Sequence, residues 1–201
     1  YVGDINDPSV GSTTITIRNS GTVIPIIEAK GGGVENSSCW SSGAGIGSGG
    51  NTLNKTTINI EGGIITAEGG VSSASDPSYH GSQLSGAGIG SGSNVSGETV
   101  INISGGTITK AKGGKYGGAG IGSGASDTKA NITLEGKVTI TATAGKDNVA
   151  IGANGIEQEF TGLAEGSSIT RSDSEGNNIT LPTDPVPAVP SSSGGGSADA
   201  S

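Results

Sequence analysis

The sequence predicts an all-β protein, a short parallel β-helix in which each coil contributes three strands and about four coils stack on one another. The heptapeptide Gly-Ala-Gly-Ile-Gly-Ser-Gly occurs three times, at residues 43–49, 86–92 and 118–124, and a shortened fourth copy stands at 149–152. Stretches in which apolar and polar residues alternate lie between these copies. A long repeat combined with a period of two is typical of stacked β-strands.

The length of the repeat leaves room for three strands in each unit. The central isoleucines of the four copies are 43, 32 and 30 residues apart, at Ile46, Ile89, Ile121 and Ile151. A heptapeptide strand is followed by an alternating strand such as 57–61 and by a third strand such as 64–67. The chain has 40 glycines among 201 residues, so we expect almost no α-helix.

The chain divides into four segments along its length. Residues 1–30 contain two strand candidates and predict an N-terminal cap with a first partial coil, and residues 31–155 hold the β-helix repeats. Residues 156–181 include the single phenylalanine, Phe160, and predict a C-terminal cap. Residues 182–201 are rich in Pro, Ser and Gly and predict a linker to a neighbouring domain of a larger surface protein.

Strand alternation assigns the faces of the repeats. Ile46 is expected in the core and stacked on its equivalents in the next coils, and Ile58 and Ile60 are expected to stack on Ile101 and Ile103. The glycines at positions 43, 45, 47 and 49 alternate with these inward side chains. We therefore expect them to face outward and to form a flat surface without side chains.

Charge and cysteine content exclude several classes of partner. The net charge is −8 and the pI is about 4.5, which argues against nucleic acid and anionic membranes as partners. No stretch is long and apolar enough to predict membrane insertion. The single cysteine, Cys39, excludes an internal disulfide and a Cys-rich metal site.

Catalytic patterns are weak, and we predict a protein that is not an enzyme and has no cofactor. The one histidine, His80, lies in a polar loop where a Ser-His-Asp arrangement has little support. Glu61 and Glu135 could project from one sheet as a glycosidase pair, but Ser104 interrupts their column. Calcium at Asp76, Asp127 or Asp147 would lack a loop dense in ligands.

The positions of the aromatic residues predict a ligand-binding edge. Trp40, Tyr79 and Tyr116 lie shortly before the first, second and third heptapeptide copies, so stacked coils would place them along one edge. Aromatic rings beside a glycine surface suit the stacking of sugars. The predicted polar partners of a bound sugar are Glu35, Asp76, His80 and Lys115. The alternative is that the rings fold over the corners as packing residues.

The repeat style, in which GAGIGSG alternates with INISGGTIT, carries a resemblance over residues 12–155. It resembles repeat modules of large secreted or wall-attached proteins of Gram-positive anaerobes, which are similar to the pectin-lyase-like superfamily. The resemblance implies a right-handed β-helix and a secreted or cell-surface location in a bacterium. That superfamily includes lyases, hydrolases, adhesins and inert spacers, and no motif of its catalytic members is matched here.

Three functional hypotheses follow from these patterns. The first is a non-catalytic, adhesin-like extracellular module that binds polysaccharide or host glycan. The second is a structural stalk or self-assembling surface spacer. The third is a polysaccharide lyase or glycoside hydrolase.

Overall fold

A computed structural model describes residues 11–33, 41–72, 84–126 and 129–185 of the chain. These residues contain no α-helix, which confirms the predicted all-β class for this part of the protein. Their strands are β1 (Thr13–Ile17), β2 (Ile26–Lys30), β3 (Ile46–Gly47), β4 (Thr56–Glu68), β5 (Val71–Ser72), β6 (Leu84–Ser85), β7 (Ile89–Gly90), β8 (Thr99–Lys112), β9 (Ile121–Gly122), β10 (Ala130–Leu134), β11 (Thr139–Thr143), β12 (Ile151–Ala153), β13 (Ile156–Glu157), β14 (Ser168–Ser172) and β15 (Asn178–Ile179).

The largest sheet joins the alternating segments of successive repeats. Its strands run in the order β1-β4-β8-β11-β14-β15, with β2 also paired to β4 and β10 to β8. Every pairing is parallel except that of β14 with β15. Each repeat therefore pairs with the next one along the chain. This pairing is needed because a single repeat cannot bury its apolar face alone.

A second sheet joins the heptapeptide copies in the order β3-β7-β9-β12, with β13 added antiparallel at the end. Ile46 lies opposite Ile89, Ile89 opposite Ile121, and Ile121 opposite Ile151. The predicted isoleucine column is confirmed. A small antiparallel pair, β5 with β6, flanks the insertion that lengthens the first repeat.

The core is a set of aliphatic columns that pass from repeat to repeat. Ile58 and Ile60 are fully buried and lie opposite Ile101 and Ile103 in the parallel register. The polar residues between them point to the other face, where Asn102 Nδ2 donates to Asn59 Oδ1 at 2.9 Å. Alternation of side chains therefore separates an apolar interior from a polar ladder on the same strands.

The central glycines of the heptapeptide meet neighbouring backbone, so the expected flat glycine surface is wrong at these two positions of the repeat, although Gly49 at the end of the first copy is exposed. Gly90 has φ of +142°, and a Cβ placed there would lie 1.9 Å from the carbonyl oxygen of Gly122. A Cβ on Gly45 would lie 2.7 Å from the carbonyl oxygens of Glu68 and Gly88. These glycines permit backbone to approach backbone, both between repeats and against the end of β4.

The serine of the heptapeptide has a structural role that the sequence did not indicate. Ser48 and Ser91 are buried. Their hydroxyl oxygens accept hydrogen bonds from the backbone amides of Gly92 and Gly124 in the following repeats, at 3.1 and 2.8 Å respectively. The equivalent Ser123 accepts the amide of Asn154 at 3.4 Å. Each serine thus provides a partner for an amide beyond the short strand.

A buried arginine closes the C-terminal end of the described structure. Arg171 on β14 is 1% exposed, and its guanidinium lies 2.7 Å from Glu157 Oε2 and 2.9 Å from Asp184 Oδ2. It also donates to the carbonyl oxygen of Gln158 at 2.8 Å, and its Cζ lies 5.6 Å from the centre of the Phe160 ring. Asp184 belongs to the range predicted as a linker, so chain beyond residue 181 packs against this end.

Candidate ligand-binding groove

A groove of about 640 Å³ opens where β2 and β4 end. Lys30, at the end of β2, and Glu68, at the end of β4, are direct partners in the parallel register. The corner that follows β8 contributes Lys115 and Tyr116 to the same groove. Three successive repeats therefore supply its charged and aromatic side chains.

Glycines line the groove as well, because backbones meet closely there. Gly31 and Gly69 are part of the lining. A Cβ on Gly31 would lie 2.1 Å from the carbonyl oxygen of Gly43, and one on Gly69 would lie 1.9 Å from that of Gly86. A side chain at either position would displace backbone, so this part of the groove is bounded by main chain.

Tyr116 is fixed by a hydrogen bond of its backbone amide, and its side chain is half-buried. Its amide donates to the hydroxyl group of the buried Ser85 at 2.8 Å. The ammonium nitrogen of Lys115 lies 5.1 Å from the centre of the Tyr116 ring, within the range of a cation–π contact. The groove therefore presents an aromatic face with a cation beside it.

Two of the seven residues predicted to bind ligand are brought together in this groove. Tyr116 and Lys115 both line it. The other five lie outside the described residues, and they are Trp40, Tyr79, Glu35, Asp76 and His80. The predicted row of three aromatic rings therefore stays a prediction.

The sequence reasoning missed how many lysines meet near this groove. Lys110 Nζ and Lys112 Nζ lie 3.6 and 3.9 Å from the carboxylate of Glu68. The backbone amide of Lys146 donates to the carbonyl oxygen of Lys115 at 3.1 Å, which brings the next corner alongside. Lys30 completes the group. Lys110, Lys112 and Lys115 are already close together in the sequence, whereas strand register adds Lys30 and the neighbouring corner adds Lys146.

This lysine cluster contrasts with the acidic chain as a whole. Five of the chain's 10 Lys and Arg residues belong to it, namely Lys30, Lys110, Lys112, Lys115 and Lys146. The carboxylate that contacts Lys110 and Lys112 is Glu68. Half of the basic residues of a chain with a net charge of −8 therefore lie on these neighbouring corners.

Two surface carboxyl groups have pKa values lowered by their neighbours. The Lys55 ammonium, 2.8 Å from Glu98, holds the pKa of that carboxyl below its ordinary value. Hydrogen bonds from Asn177 do the same for the pKa of Asp173. A glycosidase acid needs a raised pKa, so neither group supports general acid catalysis.

Neither a cluster of metal-ligating side chains nor a membrane-spanning helix occurs in the described ranges. They hold no group of three or more His, Cys, Asp or Glu side chains placed to bind a metal. Asp147, one of the three calcium candidates, lies among them, whereas Asp76 and Asp127 do not. The same ranges contain no helix with the length and hydropathy of a membrane span.

Comparison of the chain with family models, curated protein sequences and solved structures found no significant match.

Proposed function

We propose that the chain is a non-catalytic, extracellular glycan-binding module built as a right-handed parallel β-helix. The parallel pairing of each repeat with the next supports this architecture. So does the division of each unit into a heptapeptide strand and two segments of a longer alternating strand. The handedness and the location at a bacterial cell surface rest on the resemblance of the repeats to those of secreted proteins.

The groove beside Tyr116 carries the proposal of glycan binding. A half-buried tyrosine ring offers a flat apolar face on which a sugar ring can stack. Lys30 and Lys115 offer donors to sugar hydroxyl groups, and Glu68 offers acceptors. A volume of about 640 Å³ lies within the range of small-molecule sites.

A glycan array tests the proposal directly. The full chain, labelled at its surface, is applied to an array of neutral and acidic polysaccharides and host glycans. We expect saturable binding to a restricted set, and we expect a Tyr116→Ala variant to lose it. Absence of binding to every glycan by the folded wild-type chain would reject the proposal.

A structural spacer is the second candidate, and the packing of the central glycines favours it. Gly45, Gly90 and their equivalents allow the backbones of neighbouring segments to approach closely, so the heptapeptide promotes the stacking of repeats. A module with that construction would be stiff whether or not it binds a ligand. If the folded chain binds no glycan on the array, the structural spacer is the function that the fold supports.

A further inference from the structure

The N-terminal side of the largest sheet ends in two strands, β1 and β2, and among the described residues each of them pairs with β4 alone. Gly31 N donates to Glu68 O and Ile64 N donates to Pro25 O, both at 2.8 Å, so the odd-numbered residues of β2 direct their backbone groups toward β4. The backbone N–H and C=O groups of Ile26, Glu28 and Lys30 therefore point to the open side.

Exposed apolar side chains accompany this edge. Val23, Ile24 and Ile26 are 66%, 56% and 74% exposed, and Ile64, the strand partner of Ile26, is 37% exposed. Four large aliphatic side chains thus lie exposed around the start of β2. Contiguous apolar surface next to an unpaired strand is typical of an interaction site.

The row of strands that contains β2, which runs β2-β4-β8-β11-β14-β15, lacks a matching open parallel edge at its opposite end. The strand β10, which pairs with β8 alone among the described residues, continues the row of β1 instead. At the far end of the β2 row, β14 pairs with the antiparallel β15, and the buried Arg171 joins Glu157 to Asp184 across that end. A head-to-tail filament needs two complementary edges, one at each end. Pairing of two N-terminal edges needs one edge only, and its symmetry is a two-fold axis.

We propose that β2 is a self-association edge that pairs antiparallel with β2 of a second copy, with the two-fold axis at Ala29. In this register Glu28 lies opposite Lys30 of the partner subunit, and Lys30 lies opposite the partner's Glu28. Both residues are exposed and direct their backbone groups outward, so they form hydrogen-bonded pairs as well as two salt bridges. Ile26 lies opposite Gly32 of the partner subunit, where there is open space for its side chain.

Charge reversal tests this register. The mass of the full chain is measured by sedimentation equilibrium from micromolar to millimolar concentration, and we expect a monomer–dimer equilibrium. Glu28→Lys puts a lysine opposite Lys30 of the other copy in both of the symmetric pairs. This repulsion should weaken dimerisation at least about tenfold. The double change Glu28→Lys with Lys30→Glu restores opposite charges and should return most of the affinity. Glu135→Lys, an exposed carboxylate in the third repeat, is the matched control and should have no effect.

Three results would overturn the proposal. One is a monomer at every concentration. Another is a dimer that the double charge reversal fails to restore, since this would place the interface elsewhere. The third is dimerisation that appears only after deletion of residues 1–10, because those residues would then be the natural occupant of the edge. Circular dichroism of each variant separates loss of the interface from loss of the fold.

Discussion

Gly90 shows how much a single residue of the heptapeptide is constrained. Its φ of +142° disfavours any side chain, and the carbonyl oxygen of Gly122 occupies the place of a Cβ. The neighbouring Ile89 is fully buried in the core column. Two adjacent residues are thus fixed for different reasons, one by its volume and the other by its lack of a side chain.

Gly90→Ser should destabilise the protein strongly, by about 3 kcal/mol or more, because both strain and a backbone clash oppose the new side chain. Urea denaturation of the purified variant measures the change. Gly49→Ser is the matched control in the first heptapeptide copy, since a Cβ on Gly49 would meet only Thr52 Oγ1, at 3.8 Å. A mild effect at Gly90 would contradict the close packing of the copies.

Tyr116→Ala should weaken glycan retention in affinity electrophoresis about tenfold or more while it changes the free energy of unfolding by less than about 1 kcal/mol. The reason is that its ring is half-buried and its amide keeps its bond to Ser85. Ile156→Ala removes a 70% exposed side chain far along the chain and should leave retention unchanged. A large loss of stability from Tyr116→Ala would instead identify the ring as a packing residue.

The residue scale also shows where sequence reasoning reaches its limit. Alternation placed Ile89 and Ile58 correctly, because a bulky apolar side chain has one favourable side. It placed Gly45 and Gly90 wrongly, because a glycine has no side chain and its role depends on which backbone lies nearby. The position of Tyr116 before a repeat copy predicts its place at the ligand-binding edge, whereas Lys30 lines the groove because strand register brings it there.

At the scale of the element, each short heptapeptide strand is supported by more than its own ladder. The strand β7 has two residues, yet the buried Ser91 beyond it accepts the amide of Gly124 at 2.8 Å. Without that hydroxyl, a buried amide in the next repeat would lose a partner. The serine therefore extends the coupling between repeats past the end of the strand.

Ser91→Ala should lower the free energy of unfolding by about 1 to 3 kcal/mol, the cost of leaving a buried donor unsatisfied. Ser96→Ala, an exposed serine in the same repeat, should change it by less than about 0.5 kcal/mol. Thermal unfolding followed by circular dichroism compares the two. Equal stability of both variants would show that the hydroxyl of Ser91 contributes little.

For the whole molecule, the repeat pattern was enough to predict the class and the register. Copies that match in sequence pair in space, because identical positions present the same apolar and polar faces to one another. The closure at the C-terminal end was not predictable in the same way. Arg171 lies in a strand with a polar sequence, and its partners Glu157 and Asp184, 14 and 13 residues away, belong to no repeat whose pattern would pair them.

Arg171→Met should destabilise the protein by about 3 to 5 kcal/mol, because the change leaves two largely buried carboxylates without their cation. Arg18→Met, an exposed arginine near the start of the sheet, is the matched control and should have little effect. Denaturant unfolding of both variants measures the difference. If Arg171→Met proved as stable as the wild type, the ion-pair network would not hold the end of the sheet in place.

The stacking of repeats determines how far the structure extends with each added repeat. Each repeat of 30 to 43 residues adds one strand to a sheet, and neighbouring strands lie about 4.8 Å apart. An extended proline-rich chain advances about 3.1 Å with every residue, so two of its residues travel farther than an entire repeat. Many residues are therefore needed to span a given distance with this architecture. What each added repeat supplies is a further row of side chains at a fixed spacing, which enlarges an ordered surface.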